Sequence, residues 1–114
     1  MAGNFDEQQM FQGDGDFTTA ATIHTRNSGV IRDIISWVNL CNNTSSDITV
    51  DLYHDEDGST YDDTTVLIEA MPIAANDTVR YNGPIYIKDP AGTIGVKCSV
   101  NGSLTITGYG AKET

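Results

Sequence analysis

The sequence predicts an all-β chain, an antiparallel β-sandwich or jelly roll of about eight short strands with an extended N-terminal arm. Three observations lead there. Runs rich in β-branched residues follow one another closely from Thr18 onward, clusters of Gly, Asn, Asp and Ser separate them, and no segment of useful length repeats its apolar residues at the helical period. With 114 residues there is room for a single core, since domains run to about 100–150 residues. We therefore divide the chain into an arm, residues 1–17, and one sandwich domain, residues 18–114.

The arm is rich in Gln, Asp, Gly and Asn and sets single apolar residues, Phe5, Met10, Phe11 and Phe17, among them without a sustained period. Such a segment buries too little surface to fold alone, so it is either disordered or laid across something else. In the second case those four side chains are the candidate anchors for docking on a neighbouring subunit. Thr18–Thr25 opens the strand series. Val30–Cys41, with Ile31, Ile34, Ile35, Trp37, Val38 and Leu40, breaks strict alternation, but its adjacent β-branched residues argue against a helix. A central strand covered on both faces, or one with a bulge, accounts for it. Asn42 to Asp47 forms a polar turn into Ile48–Tyr53, where Ile48, Val50 and Leu52 face one way and Thr49 and Asp51 the other.

Thr64–Ile68, Thr78–Tyr81 and Pro84–Ile87 follow, the last two divided by an expected sharp bend at Asn82-Gly83-Pro84. Thr93–Val100 alternates again, and Asn101-Gly102 predicts a hairpin into Leu104–Tyr109. Gly108 and Gly110 around Tyr109 mark a place where another backbone can come close. Trp37 and Tyr109 are further candidate interface residues. Trp37 precedes Cys41, the reverse of the order in an immunoglobulin domain, which disfavours that sandwich.

Sixteen acidic against six basic side chains give a net charge of −10, which repels phosphate backbones and anionic lipid, so neither nucleic acid nor membrane is expected as a partner. No stretch reaches the roughly 18 apolar residues of a membrane span, and the first residues lack the basic and apolar regions of a signal peptide. A chain made in a cytoplasm is the expectation, with Cys41 and Cys98 as free buried thiols rather than a disulfide.

Five carboxylates crowd residues 55–63, between His54 and Thr64. The loop does not fit the EF-hand pattern: aligning Asp55, Asp57 and Gly58 on it puts Tyr53 and Thr64 where the first carboxylate and the bidentate Glu belong. A solvated loop is the expectation, with calcium binding of irregular geometry left open. His24 and His54 are the only imidazoles, and neither sits in a recognisable catalytic constellation. His24, between Ile23 and Thr25, is expected at a surface or interface. We expect no enzyme, no catalytic or metal-binding residue and no cofactor.

From Trp37 to Gly110 the layout resembles a family of small virion proteins of tailed bacteriophages. The resemblance rests on the Asn42–Asp47 turn, the strand and acidic loop after it, and Pro72-Ile73-Ala74-Ala75-Asn76-Asp77-Thr78. Gly83-Pro84-Ile85, Gly92-Thr93-Ile94-Gly95-Val96 and Leu104-Thr105-Ile106 complete it, over roughly residues 30–110. It implies a β-sandwich acting as a capsid decoration or cement protein. Such a protein binds the major capsid protein or other virion proteins on the capsid exterior, often as a homo-oligomeric trimer, after assembly in the host cytoplasm. The alternatives are a neck, tail or fibre component, or a receptor- or carbohydrate-binding module in which Trp37, Tyr53, Tyr61 and Tyr86 stack on sugars.

Overall fold

The computed structural model describes residues 4–114. Eight strands follow in order: β1 (Phe5–Asp14), β2 (Ala21–Thr25), β3 (Arg32–Asn42), β4 (Ile48–Asp55), β5 (Val66–Ile73), β6 (Thr78–Ile87), β7 (Thr93–Cys98) and β8 (Leu104–Glu113). They form two four-stranded sheets: sheet A, in the order β1-β8-β3-β6, and sheet B, in the order β2-β7-β4-β5. Every pairing is antiparallel.

The pairs β4·β5, β3·β6, β2·β7 and β1·β8 nest inside one another like the rungs of one long hairpin. Alternate rungs go to opposite sheets. A hairpin rolled up in this way is a jelly roll, so the structure selects that member of the two predicted architectures.

The core is the set of inward-facing side chains of both sheets. Ile35, Val38 and Leu40 of β3 and Ile106 of β8 meet Val50 and Leu52 of β4 and Ile94 and Val96 of β7, all fully buried or within a per cent of it. Each such side chain contributes about 1.5–3 kcal/mol of hydrophobic stabilisation, and together they hold the sheets face to face.

Three expectations are corrected. Residues 5–14 of the expected arm form β1, an edge strand laddered to β8 from Phe5↔Glu113 to Asp14↔Thr105. Phe11 and Phe17, each 7 % exposed, belong to the domain's own core, and Met10 packs against it. Phe11 and Phe17 are therefore not docking anchors, and Met10 is partly buried. The reason is that an edge strand with one face over the core needs few apolar side chains, so its sequence shows little period. Residues 1–3 of the expected arm lie outside the described residues.

Next, the Asn101-Gly102 turn is present, with Gly102 at φ 71°, but it is no hairpin. It carries the chain from β7 in sheet B to β8 in sheet A, as the Asn42–Asp47 turn carries it from β3 to β4. A tight turn fixes reversal of direction and leaves open whether the strands end side by side or face to face.

Finally, Thr78–Tyr81 and Pro84–Ile87 are one strand, β6. Gly83 and Pro84 together face Ser36 of β3, and pairing resumes on both sides. An extra residue absorbs the irregularity without ending the strand.

Candidate functional site

The two outer faces of the sandwich differ. Sheet B is roofed by the β4–β5 connection. Tyr61 lies over Gly95 of β7 so closely that a Cβ there would collide with its ring. Its hydroxyl donates to Thr93 Oγ1 (2.9 Å) and lies 2.5 Å from Thr22 Oγ1. Tyr53 tilts against it at 5.6 Å. Among the described residues nothing roofs sheet A in this way, and the candidate site is its outer face.

That face is set by register. Ser36 is the extra residue where β3 slips against β8, between Ile35↔Gly110 and Trp37↔Tyr109. The bulge restarts the alternation, so that Ile34 and Trp37 both point outward while Ile35 and Val38 point in. The sequence allowed for such a bulge in this run.

Trp37 and Tyr109, the two candidate interface residues, become cross-strand neighbours whose rings stack at 5.4 Å. From the other side of β3, the guanidinium of Arg80 on β6 lies 4.9 Å from the Trp37 ring centre. Tyr109, Trp37 and Arg80 thus form a row across three strands. One row along, Arg32 sits 4.7 Å from the ring centre of Tyr86 and pairs with Glu113 of β8.

Beside the rows runs an open groove of about 660 Å³. Ile34, Gly110 and Ala111 make its floor, Trp37 and Tyr109 close one end, and Phe5, Glu7 and Gln9 of β1 form a wall. Phe5 is 55 % exposed, the one expected arm anchor that faces solvent strongly. Trp37 Nε1 is buried and has no hydrogen-bond partner among the described residues. An indole N–H normally finds one when buried.

Sequence reasoning named Phe5, Trp37 and Tyr109, which the structure brings to one face. It missed Arg32, Arg80, Ile34 and Ala111, because their membership depends on which strands are neighbours. Of the tyrosines considered for sugar stacking, Tyr86 shares this face, while Tyr53 and Tyr61 belong to sheet B.

The ionisable groups elsewhere are structural in geometry. His24 of β2 is buried rather than at a surface, with Nε2 2.8 Å from Asp33 Oδ2 on β3 and its ring stacked on Phe11 at 5.4 Å. Asp33 also accepts from the backbone and side-chain amides of Asn27. Burial pushes the Asp33 carboxyl up, but the bonds from His24 and Asn27 outweigh it and hold its pKa below the usual value. The pair ties one sheet to the other.

In the 54–63 loop, Asp55 is held low chiefly by the backbone N–H of Thr60 (2.8 Å) and then that of Asp57. Asp62 accepts from Thr64, and Glu56 from the backbone of Lys88 and Asp89. Asp55, Glu56 and Asp62 thus cap turns, while Asp57 lies against Asp55, whose hydrogen bond and charge push its pKa up. Among the described residues no group of three or more His, Cys, Asp or Glu side chains is placed to hold a metal ion. Burial lowers the His54 pKa, with Glu56 and Asp55 opposing. Cys41 and Cys98 are free thiols. No protein-family model matches the chain, and no curated protein sequence matches it.

Proposed function

We propose that the chain is a structural virion protein, a capsid decoration or cement protein that works through protein–protein contacts and has no reaction to catalyse. The observation that carries this reading is the Tyr109–Trp37–Arg80 row on the unroofed face of sheet A. Trp, Tyr and Arg are the residue types that dominate binding energy at protein interfaces, especially when rigidly packed. The jelly roll, a fold used by viral capsid domains among others, agrees with it, although fold alone does not assign function. So does the resemblance between residues 30 and 110 and small phage virion proteins. A charge of −10 suits an exterior position away from packaged DNA.

The carbohydrate-binding reading is the runner-up, because Phe5, Trp37, Tyr86 and Tyr109 do gather on one face. A sugar ring, however, needs an open aromatic face, and Trp37 has Tyr109 on one side and Arg80 on the other. A protein surface that meets the row edge-on fits better.

The test is mass spectrometry and cryo-EM of purified virions carrying the wild-type chain or Trp37→Ala. Many copies on the shell, reduced in the variant, are expected. A few copies at the neck or tail would replace decoration by that role, and absence from virions would overturn both. Binding to a glycan array, lost in Trp37→Ala, would favour the runner-up.

A further inference from the structure

We propose that the outer face of sheet A is the contact between two copies of this chain, an isologous dimer in which Phe5 of each copy enters the groove of the other. The inference rests on reading this face as a protein–protein interface and names the partner.

Three observations point to a second copy. A two-fold contact requires a self-complementary patch, with knob and hole on the same surface. Phe5 supplies the knob, more than half exposed at the groove's edge, and the groove over Ile34, Gly110 and Ala111 supplies the hole.

Charge gives the second argument. Two molecules of charge −10 repel each other over most of their surfaces. At the outward positions of these four strands Glu7, Asp14 and Glu113 stand against Arg32 and Arg80, a balance of three to two that leaves one negative charge, while Asp6, Asp33 and Lys112 alternate to the other side. The other nine lie elsewhere on the molecule. This is the surface on which two copies meet with least repulsion, and its near-neutrality gives neither a basic nor an acidic partner an advantage.

Area gives the third. Four strands of 10 or 11 residues make up the sheet. At about 4.8 Å between strands and about 3.3 Å per residue, their face has a flat footprint on the order of 600 Å². Side-chain relief raises the accessible area toward the roughly 800 Å² per partner of a standard stable interface.

The experiment is sedimentation equilibrium of the full chain over the micromolar range, for wild type, Phe5→Ser, Arg80→Glu and, as a control on another surface, Leu67→Ser. The expected wild-type mass is twice the 12.3 kDa of the chain. Phe5→Ser and Arg80→Glu weaken the dimer at least tenfold with unchanged far-UV circular dichroism, and Leu67→Ser leaves it intact. Raising salt from 0.05 to about 0.5 M tightens the dimer, because it screens the repulsion between the charges outside the contact.

A monomer throughout, a trimer, or a dimer indifferent to both face variants would overturn the proposal. Virion loading of the same proteins separates this from the function. A monomeric chain that still decorates virions sinks the dimer alone, whereas a dimer broken by Phe5→Ser but absent from virions upholds the dimer and sinks the decoration role.

Discussion

Ala70 holds a φ of 50° in β5, a left-handed conformation that costs a non-glycine residue about 1–2 kcal/mol. It sits in the bulge where β5 slips past Asp51 of β4, and its N–H donates to Asp51 Oδ1. Glycine takes this conformation freely but loses more chain entropy, so Ala70→Gly is expected to stabilise the protein by up to about 1 kcal/mol. A higher urea midpoint at unchanged slope is the readout, and an unchanged or lower midpoint would show that the bulge costs nothing.

Asp33 offers a second test. Its pKa is depressed in the fold, so its stabilisation is complete above the ordinary carboxylate pKa and is lost as pH falls through the depressed value. Asp33→Asn keeps the shape, loses about 2 kcal/mol at neutral pH as charged hydrogen bonds go, and flattens the acid limb of stability against pH. An acid limb identical to wild type would assign that limb to other carboxylates. Neither residue stands out in the sequence. Ala70 is one alanine among several, and Asp33 acquires its role only when β2 delivers His24 across the sandwich.

Among the elements, β1 is the most instructive. It buries one side chain deeply, Phe11, which lies on Gly108 of β8 so tightly that a Cβ there would strike its ring. Phe11→Ala is expected to cost about 3–5 kcal/mol. Gly108→Ala costs about 1–3 kcal/mol by overpacking. If the two are one fitted pair, the double variant is less destabilised than the sum of the singles, and strict additivity in the denaturation cycle would refute the fit.

The sequence did mark Gly108 and Gly110 as sites of close approach, yet what approaches is the chain's own Phe11 ring and the Ile34 carbonyl. The strands after Thr18 were legible because alternation is a local property: Ile48, Val50 and Leu52 announce their own buried face. The plane into which a turn sends the next strand is not local, and so Asn101-Gly102 misled. The candidate site was half legible for the same reason. Residue type singled out Trp37 and Tyr109, but their stacking depends on the Ser36 bulge and on β8 lying beside β3, and Arg80 arrives from β6.

For the molecule as a whole, the two faces have different fates. Gly95 admits the Tyr61 ring that roofs sheet B. Gly95→Val is expected to expel that ring and its hydrogen bonds with Thr93 and Thr22, costing about 2–3 kcal/mol and freeing the 56–65 segment for limited proteolysis. Unchanged cleavage kinetics would mean that the loop is held by other contacts. Sheet A is left as the broad face on which an assembly can be built.

The nesting of the strands also dictates when that face comes into being during synthesis. The chain's last strand, β8, lies inside sheet A between β1 and β3. Sheet B can pair fully once β7 has left the ribosome, but β1 has no partner in sheet A until residues 104–113 follow. A nascent chain therefore carries an unfinished face, and the groove walled by β1 and floored by β8 exists only after residues 104–113 have emerged and paired.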